Sequence, residues 1–368
     1  ATTGTFTFAV CDDATEEPTE TIVGASISSA TNVNVSGQTT TDYDIFDNEG
    51  VGSVGPGGVG STDGSGNLAM WLLPDQGVFS DEGCSTEAAD TDGVGCWQDQ
   101  SGSGNNATQG GGTSQPTYRT GQQNGRPELR FDGTDDALVH TLTSIGTANS
   151  TVFALSTAGT TGNQYGVFTV APDINGSGRG TLAASRAVRF ASSDAAEGIN
   201  GGGDTPNTAT GGTPGTSPSI LSSTYTDGNT TVDIGVDGVV DQGGENASAS
   251  TQSGTEGRIG AELQVDNQSN FTPINFLSGD IVEVIAYETN LNTAQRNIVR
   301  NYLSAKYNVI LTANNLYAGD TGANGDYDFN VIGIGKAGGN AHTRAKTEGV
   351  ALSVDAFNNG NYVMLGTQ

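Results

Sequence analysis

Positive charge is what this sequence has least of. Thirteen Lys and Arg stand against 41 Asp and Glu in 368 residues, a formal charge of −28, and the lysines are three: Lys306, Lys336 and Lys346. A surface so anionic is repelled by nucleic-acid phosphates and by anionic lipid headgroups, which excludes both as partners. No stretch approaches the roughly 18 consecutive apolar residues of a membrane-crossing helix, so membrane insertion of that kind is excluded too. Histidine is limited to His140 and His342, far from the cysteines in sequence, which argues against a Cys/His metal centre. Three cysteines remain. Cys84 and Cys96 flank an 11-residue acidic loop that one disulfide can close, and Cys11 is left over. An oxidising, secreted or cell-surface location follows from that pairing. The chain opens at Ala1 with no apolar signal core, and reads as already processed or as a piece of something longer.

Glycine fills 56 positions, well above its usual share of about 7%, and the apolar residues sit in short runs. That pattern predicts thin β-strands joined by Gly/Asn/Asp/Ser/Thr turns. Three regions emerge. Residues 1–60 form an N-terminal arm: Thr5-Phe6-Thr7-Phe8-Ala9-Val10 alternates with the period of a half-buried strand, an acidic turn follows, and Gly50–Gly66 reads as a linker. Residues 61–310 carry strand candidates at Leu68–Leu73, Glu128–Phe131, Ala137–His140, Thr151–Leu155, Tyr165–Val170, Ala187–Phe190, Ser219–Tyr225, Thr231–Val236, Arg258–Ile259 and Asp280–Tyr287. Asp237-Gly238 marks a hairpin, and Gly198–Pro218 reads as a long surface loop. One helix is expected from Asn292, with Gln295 at capping-box spacing. Its apolar stripe is Ile298, Val299, Tyr302 and Leu303, with Arg296, Arg300 and Lys306 placed on the other side. Residues 311–368 offer four more strands, Phe329–Ile334, His342–Thr347, Val350–Val354 and Tyr362–Leu365, few for a free-standing sandwich and with bare edges.

The middle region resembles the laminin-G-like family of concanavalin A-type jelly rolls found in large bacterial surface proteins. The residues that carry the resemblance begin with Leu68-Ala69-Met70-Trp71-Leu72, Asp75–Val78 and Trp97–Gln109. Gln115-Pro116-Thr117, Asn124–Pro127, Phe131–Asp136 and Gly279–Tyr287 follow, then the helix to Lys306-Tyr307. The family implies two stacked antiparallel sheets, and roles as lectin, adhesion module or spacer. The tail, Tyr327–Gly335 through Tyr362–Gly366, looks like the start of a β-sandwich module that follows such jelly rolls in bacterial adhesins; a further strand of that module is similar to Gly4–Phe8. The expected fold is therefore all-β, a concanavalin A-like (laminin-G-like) jelly roll plus a small sandwich built from both terminal segments, within one subunit or between subunits.

Three functions compete. In the first, the protein is a structural subunit of an extracellular filament, polymerising with itself head to tail. Thr5, Phe6, Thr7, Phe8 and Val10 would form a strand donated to the C-terminal module of the next molecule. In the second, it is a calcium-dependent glycan-binding adhesin module, with Asp132, Asp135, Asp136 and Asp280 as metal ligands and Trp71 or Trp97 as a sugar platform, although a Trp is more often core. Asp-Gly turns are also a default way to make a hairpin, and the acidity is equally an adaptation to high salt. The third, an enzyme, is disfavoured. No Gly-x-Ser-x-Gly elbow lies between strand and helix, the Glu-x-Asp-x-x-Glu signature of jelly-roll glycosidases is missing, and either histidine would have to serve as base.

Overall fold

The computed structural model describes residues 20–25, 41–45, 54–142, 144–146, 149–159, 165–170, 186–190, 196–200, 207–209, 217–225, 232–244, 256–265, 271–347 and 350–367. The candidate donor strand and Cys11 lie outside them.

Two large antiparallel sheets face each other across the main core. The front sheet has eight strands. Seven follow the spatial order Val239–Gly244, Val232–Val236, Ser219–Tyr225, Ser150–Ala158, Ser278–Tyr287, Arg126–Asp132 and Thr117–Gln123, and Leu68–Leu72 also pairs with Ser278–Tyr287. The back sheet has nine, with Tyr165–Val170, Gly257–Ile259 and Leu138–His140 at its centre and the short pieces Ala107–Thr108, Cys96–Trp97 and Val78–Phe79 at one end. Met70, Leu129, Phe131, Val152, Ala154, Ile281 and Val284 from the front meet Trp97, Leu138, Phe168, Val170 and Ile259 from the back.

The front sheet is buried on its other face as well. Phe153, Leu155, Ile220, Val282, Ile285 and Tyr287 point away from the jelly-roll core into a second cluster around the helix Thr293–Tyr307. That double burial explains why Thr151–Leu155 and Ile281–Tyr287 are almost continuously apolar instead of alternating. The helix starts where its capping residues stand. Asn292 accepts from the Gln295 backbone N–H at 3.0 Å, and the Gln295 side chain accepts from the Asn292 N–H at 3.1 Å. It ends at Asn308 in the left-handed region (φ 51°).

Here the structure corrects the reading of the helix. Arg296, Arg300 and Lys306 are buried, not displayed on a solvent face. Arg300 and Lys306 reach into the front sheet, at Ser222 and Glu283, while Ile298 of the stripe lies beside Gly333 in a C-terminal sheet of order Asn340–His342, Phe329–Ala337, Tyr362–Thr367, from which Val331, Tyr362 and Met364 join the helix cluster. Arg300 is held by Ser222 Oγ at 3.0 Å and Asn297 Oδ1 at 3.4 Å, over the Phe153 ring. Burial, and then the neighbouring Arg296, pull its pKa down to about 9.

The glycine-rich stretch expected as a linker is likewise part of the packing. Gly55 through Val59 are buried, Tyr287 donates its hydroxyl to Val59 O at 3.0 Å, and His342 Nε2 lies 3.1 Å from Gly58 O. A Cβ on Gly57 would sit 2.9 Å from Ile298 Cγ2, and one on Gly58 would sit 2.6 Å from Ala345 Cβ, both at positive φ. Glycine is required here because this turn is wedged between the helix and the C-terminal hairpin Arg344–Thr347/Val350–Ser353.

Two smaller differences follow from local chemistry. The single strand expected over His342–Thr347 is two strands, Asn340–His342 and Arg344–Thr347, which belong to different sheets. Part of the expected Gly198–Pro218 loop pairs into the back sheet as Ala196–Asn200 and Asn207–Ala209. Within the arm, Glu20–Ala25 and Thr41–Ile45 form an antiparallel pair, and Thr41–Ile45 runs beside Val350–Ser353. Among the described residues no helix is long and apolar enough to cross a membrane.

Candidate functional site

The residues Asp132 to Ala137 carry the chain from the end of a front-sheet strand to the start of the back-sheet strand Leu138–His140. Such crossover loops at the end of a rigid sandwich are where binding groups are commonly displayed. The turn is self-braced. Asp132 Oδ1 accepts from the N–H of Thr134 at 2.7 Å, and Asp136 Oδ2 accepts from the N–H of Asp132 at 2.8 Å. Ser114 Oγ donates to Asp135 Oδ2 at 3.1 Å. One carboxylate oxygen from each of Asp132, Asp135 and Asp136 lies within 4.8 Å of the others, with Asp132 exposed, Asp135 half-buried and Asp136 buried. Two ligands on opposite sides of a calcium ion are separated by about that much, at roughly 2.3–2.6 Å per bond. Burial, joined by the charges of Asp132 and Asp135, lifts the Asp136 carboxyl to about 6. A hard divalent cation is the kind of charge that would neutralise such a cluster.

Asp280 does not join this group. It lies opposite Arg130 in the strand register, two residues away from the pair Ser278/Asp132, and its carboxylate takes the Arg130 Nε at 2.7 Å. Arg130 Nη2 also reaches Glu128 Oε1 at 2.7 Å. One guanidinium thus serves two carboxyls. Burial, reinforced by the Asp280 charge and only partly offset by Arg130, raises Glu128 to about 7. The folded state holds a proton that the unfolded chain has lost above its ordinary carboxyl pKa, so this group costs stability as pH rises towards 7. Relative to the parent, Glu128→Gln should gain on the order of 1–3 kcal/mol between pH 5 and pH 8. Urea unfolding at the two pH values checks this, and a pH-independent difference contradicts it.

The remaining expected site residues separate cleanly. Cys84 and Cys96 form a disulfide with Cα atoms 5.3 Å apart, tying the loop to the strand Cys96–Trp97. Trp97 is fully buried and donates Nε1–H to Leu73 O at 2.7 Å, so it is core and not a sugar platform. Trp71 is half-buried, with its indole N–H engaged. His140 is buried and stacked on Phe168, with Nε2 3.1 Å from Thr169 O. Burial holds it neutral, with a pKa of about 3. Thr5, Phe6, Thr7, Phe8 and Val10 lie outside the described residues.

Sequence reasoning missed a buried polar hub. Glu283, 0% exposed, accepts from Trp71 Nε1 at 2.7 Å, Lys306 Nζ at 3.0 Å and Tyr307 Oη at 2.7 Å, with Tyr302 Oη at 3.4 Å. Burial and the Glu283 charge keep both tyrosine hydroxyls protonated far above their ordinary range. The signal was a single acid inside the apolar strand Ile281–Tyr287 and one of three lysines on the helix.

A last feature lies at the C-terminal sheet. Strand Tyr362–Thr367 pairs with Phe329–Ala337 on one side and, among the described residues, with nothing on the other. Its Val363 and Leu365 are 42% and 44% exposed, while their register partners Ile334 and Ile332 are buried beneath Ala345 and Leu352.

No family model matches the sequence, and no curated protein matches it. Among solved structures, the chain is similar to Trypanosoma rangeli sialidase in complex with 2,3-difluoro-KDN (14% identity, 65% of this chain and 32% of that one, TM-score 0.43). It is also similar to the binding domain of botulinum neurotoxin DC in complex with rat synaptotagmin II (9% identity, 64% and 52%, TM-score 0.38). A third is the CBM40 of Ruminococcus gnavus IT-sialidase bound to α2,3-sialyllactose (11% identity, 46% and 91%, TM-score 0.35). The chain spans about a third of the sialidase's length. These comparisons show no laminin-G or adhesin family, and the sheet topology itself defines the architecture: an all-β, jelly-roll-like sandwich of two facing antiparallel sheets.

Proposed function

We propose that the chain is a carbohydrate-binding adhesion module of the extracellular space, a laminin-G-like jelly roll that holds calcium at Asp132, Asp135 and Asp136 and binds glycan beside it. The observation that carries the reading is the convergence of those three carboxylates on one crossover loop, one of them buried and short of positive charge. The Cys84–Cys96 disulfide supports the compartment, since such bonds persist where the surroundings oxidise. We take the module as non-catalytic. His140 is enclosed in the core, His342 is engaged with Gly58 O, and the Glu128/Asp280 pair is closed by Arg130. A glycan array probed in calcium and in chelator, with α2,3-sialyllactose among the sugars, tests this. Binding confined to calcium is expected. Binding that persists in chelator contradicts the metal role, and release of free sugar contradicts the non-catalytic one.

A second reading is favoured by the open strand Tyr362–Thr367 with its exposed Val363 and Leu365. In it the module is displayed on a filament whose subunits join head to tail through strand donation by Thr5–Val10. Loss of filaments from the purified protein on deletion of residues 1–10, seen by electron microscopy, is its expected signature; filaments that persist contradict it.

A further inference from the structure

We propose that the two buried arginines of the helix, Arg296 and Arg300, hold a small monovalent anion of the size of chloride against the outer face of the front sheet. The two stand four residues apart on one side of the helix, an arrangement in which like charges repel. Arg296 is 9% exposed and Arg300 3%. Their hydrogen-bond partners are neutral throughout. Arg296 Nη1 donates to Leu291 O at 2.7 Å and to Asn290 Oδ1 at 3.2 Å, and its Nη2 donates to Thr293 Oγ1 at 3.3 Å. Arg300 donates to Ser222 Oγ and Asn297 Oδ1. The Nε–H of Arg296 is buried and, among the described residues, meets no acceptor.

The sheet beneath supplies one countercharge for two cations. In the strand Val232–Val236, Ile234 and Val236 point into the jelly-roll core, which turns Asp233 and Gly235 towards the helix. Gly235 leaves the space that Arg300 uses: a Cβ there would sit 3.2 Å from Arg300 Nη2 and 2.5 Å from Ser222 Oγ. Asp233 is half-buried. Among the described residues it is the one carboxylate whose charge reaches both guanidinium groups, and it forms an ion pair with neither. Two positive charges and one negative leave one positive charge uncompensated in a region of low dielectric, where an isolated ion is costly. Acids are abundant in this chain, 41 in all, so the shortfall belongs to this place and not to the composition. A monovalent anion closes the balance and accepts the free Nε–H of Arg296. The burial of both arginines restricts it to a small ion and excludes a sugar acid. Such an ion ties the helix to the sheet, so the folded state gains stability from chloride beyond the screening of its −28 charge.

The test is urea unfolding of the full chain, with calcium chelated, in sodium chloride and in sodium isethionate at equal ionic strength. Screening is then the same in both salts. The midpoint should be higher in chloride, by an increment that saturates as a single site fills. Asp233→Asn removes the competing carboxylate and should shift that saturation to lower chloride. Arg296→Gln with Arg300→Gln should abolish the increment. Where that double variant does not fold, the parent decides alone: its presence should broaden the chlorine NMR line in proportion to protein, and added bromide should narrow the line by competition. Midpoints that coincide in the two salts, or a chlorine line that the protein does not broaden, overturn the proposal. An increment that survives in the double variant, or an unchanged saturation in Asp233→Asn, overturns it as well.

Discussion

Glu283→Ala is expected to destabilise the fold by about 3–5 kcal/mol, among the largest losses open to a single side chain here. The variant leaves Lys306, 7% exposed, without its counter-charge between the front sheet and the helix. The ammonium would keep only the Tyr302 hydroxyl at 3.1 Å and the faces of the Tyr302 and Tyr307 rings, whose centroids are 5.5 and 5.0 Å away. The Trp71 indole and the Tyr307 hydroxyl would lose their acceptor at the same time. The double replacement Glu283→Met with Lys306→Met removes both charges and should recover most of that loss, because an apolar pair of similar volume tolerates the same site. Urea denaturation of the three proteins decides the matter. A single variant within about 1 kcal/mol of the parent would show that the hub does not hold the helix to the sheet.

Trp97→Ala is expected to cost a similar 3–5 kcal/mol. Its side chain is the largest in the fully buried set, it stands in a two-residue strand next to the disulfide, and its N–H satisfies the Leu73 carbonyl. The deletion creates a cavity where the back sheet is thinnest, and it leaves a buried carbonyl without its donor. Trp97→Phe keeps most of the volume and should lose less than half as much. Glycan binding by Trp97→Phe should match the parent, since a residue enclosed by protein touches no sugar; a selective loss of binding with full stability would contradict the burial.

Much of the fold was legible because local chemistry and tertiary need agree. The capping residues Asn292 and Gln295 mark the helix start that forms, and the Asp237-Gly238 turn has φ of 47° and 85°, both positive as a tight hairpin requires. The apolar runs Thr151–Leu155, Tyr165–Val170 and Ser219–Tyr225 lie inside the strands that form. Strands with polar composition were not legible: Thr117–Gln123 sits at a sheet edge, so little apolar burial marks its pattern. The burial of Arg296, Arg300 and Lys306 was hidden for a similar reason. Periodicity describes one apolar stripe of a helix, and Arg300 and Lys306 are buried against front-sheet partners, Ser222 and Glu283, that lie far away in sequence. At the candidate site, proximity in sequence placed Asp132, Asp135 and Asp136 together, whereas Asp280 depended on strand register, which pairs it with Arg130.

The central claim is that the carboxylates of Asp132, Asp135 and Asp136 form a calcium-dependent binding end of the jelly roll. Calorimetric titration of the chain with calcium tests it most directly. One ion should bind per chain, more tightly at pH 7.5 than at pH 5.5, because the Asp136 carboxyl must release its proton to ligate. Asp135→Asn with Asp136→Asn should remove the binding and leave the unfolding transition without calcium in place. No heat of binding up to millimolar calcium at pH 7.5, or equal binding by that double variant, would contradict the account.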